Sequence, residues 1–382
     1  MSTPTLDVTV AEISADDDWA VEGTVLVGDA VDLDLYGHAD FAIDAPTIRT
    51  SMADRTYKRV HRFVAVRGGE HRADAVVGRG FVALPMVGDT HTAQVYVGVH
   101  PAHRRQGVGA ALWDACLGVA REAGRAVVHV EAAYAPEPPP GPGALEAPTG
   151  SGRIPADHDM TRFIQARGFT LEQVVRQSLL EVPVPPGTVT PLLAQATQAA
   201  GREYVVHVWE DAVPDEFLDG LALLETRMST DAPSAGLDVH EDPWDAERMR
   251  VALAEHADRD ESYVIVAAEH VPSGTLAAFT MVDLPHARPE VVYQEDTLVL
   301  REHRGRRLGM LVKATMLEEL AVRRPAARRV HTWNAEENAH MLAINVALGF
   351  RPASVEAVWQ LRTGTQNGTD GPTSDGDGTI RG

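Results

Sequence analysis

Two short basic turns carry the residues best suited to chemistry in this chain: Arg104-Arg105-Gln106-Gly107-Val108-Gly109 in the first half and Arg304-Gly305-Arg306-Arg307-Leu308-Gly309 in the second. Each follows an apolar strand pattern and opens a segment with helical apolar periodicity. A helix N-terminus leaves backbone N–H groups without intrahelical partners and carries the positive end of the macrodipole, so it suits an anion. Glycines let the main chain approach that anion closely and arginines add charge, which makes each turn a candidate pyrophosphate cradle. A dinucleotide fold would want an N-terminal first strand and a third glycine, and a P-loop would want a GK[ST] ending; both are missing here.

The elements that must position these turns come twice. The first half reads as a strand over Leu6–Ile13, helices within about 15–54, and strands near 59–67, 74–84 and 92–99; the turn follows, then a helix over about 107–123 and a strand over Ala126–Ala132. The proline- and glycine-rich run at about 135–156 reads as a long loop without regular structure. A short helix ended by Gly168 and a strand-like "TLEQVVRQSLLEV" come next, and "PVPPGTVTP" reads as a linker. The second half starts with a strand at Tyr204–Trp209, a helix from Pro214, the loop "STDAPSAG" and a helix within "PWDAERMRVALAEHA". Three strands ending in "VVYQEDTLVL", the second turn, a helix to about Arg324, "RRVHTWN", "NAHMLAINVALGF" and "VEAVWQL" complete it.

Arg104 and Arg304, and Gly109 and Gly309, are each 200 residues apart, whereas Gly168-Phe169 and Gly349-Phe350 are 181 apart. The difference of 19 is close to the length of the Pro/Gly loop, so one fold is used twice, with an insertion in the first copy. The expected units are 1–183 and 184–362, and 363–382 is too polar and glycine-rich to pack.

The first turn resembles the [QR]-x-x-G-x-[GA] signature of the GNAT N-acetyltransferase superfamily, and "VYVGVHP" before it resembles that family's fourth strand. With the fifth strand, helix and "GF" that follow in each half, the resemblance extends over most of the chain. It implies an α/β architecture of two tandem GNAT folds, each a twisted mixed sheet flanked by helices and splayed between strands 4 and 5. Acetyl-CoA would lie in the splay and an amine acceptor would enter from the opposite side. The backbone around Val97 and Val99, and around Thr297, Leu298 and Val299, would bind pantetheine, and the two turns would hold the pyrophosphate. Two departures stand out: Arg307 occupies the place of the first signature glycine in the second copy, and Arg105 replaces a common glycine in the first.

Amine acetylation needs an unprotonated nitrogen, a donor for the developing oxyanion and a proton for the departing thiolate. The family tyrosine that often supplies that proton corresponds to Ile164 and Asn345, neither of which is an acid. Strict strand alternation puts Tyr293, Glu295 and Thr297 on one face and Gln294 and Asp296 on the other. By family analogy the first face lines the acceptor site, which makes Glu295 the first candidate base, with a plain surface carboxylate as the alternative. Asp296, beside Arg304 or the turn, is a second candidate or a brace. Asn338 resembles the family asparagine that reaches CoA and equally fits an N-cap; its first-copy match is Asp157. Thr230 and Asp231 are expected either to contact the amine, with Tyr293, or to make a turn or helix cap. The fuller acceptor side favours catalysis in the second copy and CoA binding or a structural role in the first.

Lys+Arg 34 against Asp+Glu 55 gives a net charge of −21, which argues against nucleic acid and anionic membranes as partners. The single cysteine, Cys116, excludes an internal disulfide and falls on an apolar helix face, as a packing thiol would. No histidine spacing suggests a metal, and no signal peptide or long apolar run is seen, so the expectation is a cytoplasmic monomer or homodimer acting on a small-molecule amine. A non-catalytic CoA-binding regulatory or scaffold protein, and a protein N-acetyltransferase, are the alternatives.

Overall fold

A computed structural model describes residues 7–53 and 56–363. The expected tail beyond Thr363 and the start of the first strand at Leu6 lie outside the described residues. The first half contains β1 (Val8–Ile13), α1 (Asp18–Tyr36), α2 (Ala45–Ala53), β2 (Lys58–Arg67), β3 (Val76–Pro85), β4 (Thr92–Val99), α3 (Val108–Glu122), β5 (Val127–Tyr134), β6 (Ala144–Glu146), β7 (Arg153–Pro155), α4 (Asp159–Gln165) and β8 (Thr170–Glu181). The second contains α5 (Val189–Ala200), β9 (Tyr204–Glu210), α6 (Asp215–Asp231), α7 (Ala246–Asp258), β10 (Glu261–His270), β11 (Thr275–Pro285), β12 (Val291–Val299), α8 (Leu308–Arg323), β13 (Arg329–Ala335), α9 (Ala339–Leu348) and β14 (Arg351–Arg362).

Twelve strands form one mixed sheet in the order β1-β2-β3-β4-β5-β14-β8-β13-β12-β11-β10-β9. Its middle explains how the halves hold together. β8, which closes the first half in sequence, pairs with β13 of the second; β14, which closes the second, pairs with β5 of the first. The two closing strands also pair with each other. The two halves thus exchange their closing strands, β8 and β14, and each half of the sheet is completed by the other. In the second half the sheet is covered on both faces. Val264, Val266 and Val292 pack with α8, while Ile265, Ala267 and Leu298 pack with α6 and α7. That two-sided burial is why β10 reads as the nearly unbroken apolar run "YVIVAA".

Two local expectations are corrected. The Pro/Gly-rich insertion is not wholly irregular: Ala144–Glu146 and Arg153–Pro155 form a short antiparallel ladder. Its composition forbids long elements but not three-residue ones, and fully buried Ile154 anchors the hairpin in the first core. The linker is shorter than expected, because its last residues enter α5, whose Leu192, Leu193 and Ala196 pack on the second core.

A second lock joins the halves. Asp40, in the loop after α1, accepts from Arg329 Nε and Nη2 at 2.5 and 2.9 Å and lies 2.9 Å from His331 Nε2. Burial alone would raise the Asp40 pKa, but the hydrogen bonds from Arg329 and His331 outweigh it and hold the carboxyl below its ordinary range. Asp40→Ala is expected to cost about 2–3 kcal/mol in chemical denaturation, because it strands a guanidinium and a buried imidazole together. Unchanged stability would contradict this role.

Candidate functional site

Both cradles have the same backbone although their residues differ. Left-handed conformations occur at Arg105 (φ 62°) and Gly107 (φ 89°) in the first turn, and at Gly305 (φ 82°) and Arg307 (φ 58°) in the second. Glycine and arginine have traded places while the two turning positions stay fixed, so Arg307 preserves the bend expected of a glycine, at a cost of about 1 kcal/mol for its left-handed backbone. Alternating backbone handedness of this kind converges N–H groups on one point. The main-chain N–H groups of residues 105–110 and 305–310 meet no acceptor among the described residues. Gly309 sits close to the facing elements: a Cβ there would lie 3.2 Å from the end of the Ile344 side chain, which would have to give by a few tenths of an ångström, and 3.6 Å from Val299.

The leading arginines brace the turns from outside. Arg104 Nε donates to the Val99 carbonyl and Nη1 meets Asp34 at 2.6 Å; Arg304 Nε donates to the Val299 carbonyl and Nη2 meets Asp231 at 2.9 Å. Asp231 also pairs with Arg301 at 2.9 Å. Asp231, on the wall of the cavity, thus braces the second cradle, and Asp34 does the same in the first. Thr230 is helical and exposed, and its hydroxyl returns to the Arg227 carbonyl. Arg307 reaches Gln195 of α5, Arg306 lies near Glu203, Arg105 near Asp159, and Gln106 donates to the Ala102 carbonyl.

Parallel pairing of β12 with β13 ends at Gln294–Thr332, and that of β4 with β5 ends at Val95–Val130. Beyond these pairs the strands part, leaving main-chain groups of Val97 and Val99, and of Thr297 to Val299, without a neighbour on that edge. The halves differ at this point. From Gly78–Val99 to Ala83–Gln94 the β3–β4 register is unbroken. In β11–β12 the register jumps from Thr280–Thr297 to Val282–Gln294, so Glu295 and Asp296 together oppose Met281 alone. This bulge leaves an extra residue unpaired and breaks the alternation expected from sequence. Gln294, Thr280 and Thr297 now share a hydrogen-bonded group, with Gln294 Nε2 also donating to the Met281 carbonyl at 2.6 Å. Glu295 and Asp296 turn instead toward Asp283 and the α6/α7 face.

A cavity of about 980 Å³ runs from the second cradle through this splay, bounded by α8 and α9 on one side and by Met228 and Asp231 of α6 on the other. Glu295 and Asp296 open on it. Glu295 is exposed where it opens on the cavity, yet the protein around it, then the carboxylates of Asp283, Asp296 and Glu261, raise it above the usual carboxylate range. Burial and Asp283 raise Asp296, and Glu225 of α6 is raised by burial and by Asp296. Asp296 thus faces Glu225 rather than Arg304. A carboxyl that holds its proton this tightly is a better base at neutral pH than a solvated one.

Sequence reasoning missed Lys313. It lies on α8, is 2% exposed, lines the same cavity and meets no hydrogen-bond acceptor among the described residues. Its nitrogen stands 5.7 Å from the centre of the Phe350 ring. Burial lowers its pKa to about 7. The only sequence signal was one lysine inside the apolar run "MLVKATML". Nearby Asn345, at the family tyrosine position, is 1% exposed and donates to Asn334 at 2.6 Å, while its own oxygen is unpartnered. Asn338 caps α9 by accepting from Met341 N–H and also lines the cavity. In the first half the corresponding cap is His158 and not Asp157.

Tyr293 lies outside that cavity. It borders a second cavity and donates to the Asp40 carbonyl. Cys116 is fully buried, with burial pushing its thiol up to about 12, as suits packing. Among the described residues the fold brings one trio, Asp89, His91 and His240, close enough to hold a metal ion, with ligand atoms within 4.8 Å of one another. Sequence spacing could not signal it, because the two histidines come from different halves. No helix among the described residues is long and apolar enough to cross a membrane.

Residues 36–136, spanning the first cradle, match the acetyltransferase (GNAT) family. The whole architecture is similar to a tandem GNAT protein from the clavulanic acid biosynthesis pathway, with 26% identity and a TM-score of 0.71 over 94% of this chain and 100% of that one. It shares its fold with a GCN5-related N-acetyltransferase from Sphaerobacter thermophilus, at 15% identity and a TM-score of 0.54 over 94% and 96% of the two chains. No curated protein matches the sequence. A family match over the first cradle and an end-to-end likeness to a tandem protein over both thus agree: residues 36–136 carry the GNAT acetyltransferase pattern, and the whole chain has the architecture of a tandem GNAT protein.

Proposed function

We propose that the protein transfers an acetyl group from acetyl-CoA to a primary amine of a small molecule, and that the second half does the chemistry. The observation that carries this is the cavity that joins a cradle of acceptorless N–H groups to the bulged, carboxylate-lined splay. The cofactor fits what is present: residues 305–310 would hold its diphosphate, and the free edge of β12 at Thr297 to Val299 its pantetheine arm. Bound there, the thioester supplies an activated acyl carbon. Glu295, as the base, takes the proton from the amine, with its protein surroundings and the nearby Asp283 and Asp296 carboxylates keeping its pKa high. The main chain at the bulge offers an N–H to charge developing on the carbonyl oxygen. Lys313 replaces the missing tyrosine as the source of the proton for the departing sulfur.

The first half keeps its cradle, but its fourth strand is straight, with Tyr96 in the stretch where β12 bulges. That favours cofactor binding or a structural role there. The test is thiol release from acetyl-CoA over a panel of amines, with charge reversal at each cradle. Arg307→Glu is expected to raise KM for acetyl-CoA about tenfold, and more than Arg105→Glu does. The opposite order would move catalysis to the first half, and no thiol release with any amine would favour a non-catalytic CoA-binding protein.

A further inference from the structure

A second cavity, of about 320 Å³, lies between the halves and shares one wall residue, Trp333, with the first. Two features of its wall are independent of each other. The first is aromatic: Tyr36 and Phe41 come from the first half, Tyr293 and Trp333 from the second. Phe41 stands edge-on to Tyr36 at 4.7 Å and 5.4 Å from Trp333, and Tyr293 lies 6.4 Å from Trp333. Rings gathered in this way present negative faces to a cation.

The second feature is charge. Asp32, Glu261 and Glu356 face the cavity against one arginine, Arg288. Asp32 is only 7% exposed, and one of its carboxylate oxygens has no hydrogen-bond partner among the described residues. Burial raises Asp32 to about 6, and burial with the nearby Glu131 raises Glu356 to about 7. Arg79 and Arg288 both draw Asp32 down without outweighing its burial, and Glu356 accepts from the Trp333 indole at 2.8 Å.

Resting on the acetyl-transfer function above, we propose that this inter-half cavity seats a protonated nitrogen of a diamine or polyamine acceptor, while a second nitrogen of the same molecule passes Trp333 to the thioester. The two nitrogens must differ. The attacking one has to be neutral, whereas aromatic faces and carboxylates favour the charged form and would hold a lone amine protonated. The acceptor site of the second half would then be built partly by α1 and the Asp40 loop of the first. This gives the tandem arrangement a direct role in substrate choice.

Calorimetric titration of the full-length protein with spermidine, 1,4-diaminobutane and n-butylamine, without acetyl-CoA, tests the proposal. The diamines are expected to bind about tenfold or more tightly than n-butylamine, and Asp32→Asn to weaken them about tenfold. Phe41→Leu, at a half-buried position, should weaken them too and serves if Asp32→Asn does not fold. The proposal is overturned if the three amines bind alike, if none binds, or if the folded variants keep wild-type affinity for the diamines. Since the titration involves no acetyl transfer, these outcomes leave that function standing. Tight diamine binding without thiol release on adding acetyl-CoA would overturn the transfer function and not the cation site.

Discussion

Glu295→Gln is expected to lower kcat/KM by about 10²–10⁴ with little change in KM for acetyl-CoA, the loss typical of removing a positioned general base. The glutamine keeps the size and opens on the same cavity, so cofactor binding should survive. The pH profile carries the sharper test. Asp283 and Asp296 raise the pKa of Glu295 by placing like charge beside it. Removing one of those charges in Asp296→Asn must lower it, so the acidic limb of the kcat/KM profile should move to lower pH in that variant. Because the carboxylates titrate together, the limb reports the group and not one residue. Equal losses in Glu295→Gln and Asp296→Asn, with an unmoved limb in the latter, would place the base elsewhere.

Lys313→Met should do two opposite things. Turnover is expected to fall about 10²-fold as the thiolate loses its proton source. Stability is expected to rise in mild acid. The lysine has a folded pKa of about 7 against 10.5 for a free side chain, a difference worth on the order of 5 kcal/mol. Below the folded value the native state must carry the charge into an apolar site, so the full cost is felt there. Between the two values the unfolded chain binds more protons, so stability rises with pH and the cost fades. Methionine occupies a similar volume and makes favourable contacts with an aromatic ring such as Phe350. Denaturation curves should therefore show Lys313→Met more stable than the parent near pH 6, with the gap closing as pH climbs toward 10. A variant less stable than the parent near pH 6 would mean the ammonium is well solvated in the native state.

What could be read from the sequence was what local pattern encodes. The strand, basic turn and helix around Arg104 and Arg304 emerge from periodicity, and the copies emerge from their 200-residue spacing. Glu295 and Asp296 could be singled out, but not their orientation, since a bulge is defined by the partner strand: only Met281 opposite them reveals it. Exchange of β8 and β14 was invisible for a similar reason, because both strands have ordinary patterns and their partners lie far away in sequence. Asp231 looked like a loop residue beside an acceptor, whereas three-dimensional proximity to Arg301 and Arg304 makes it a brace. The cation-binding wall required four aromatic residues from two halves to meet, which no spacing rule captures.

A crystal structure of the protein grown with acetyl-CoA tests the central claim most directly. The account predicts diphosphate oxygens against the main-chain N–H groups of residues 305–310, and the thioester between the parted strands β12 and β13, within reach of Glu295. A thioester held only between β4 and β5, with the second cradle unoccupied at saturating cofactor, would contradict it.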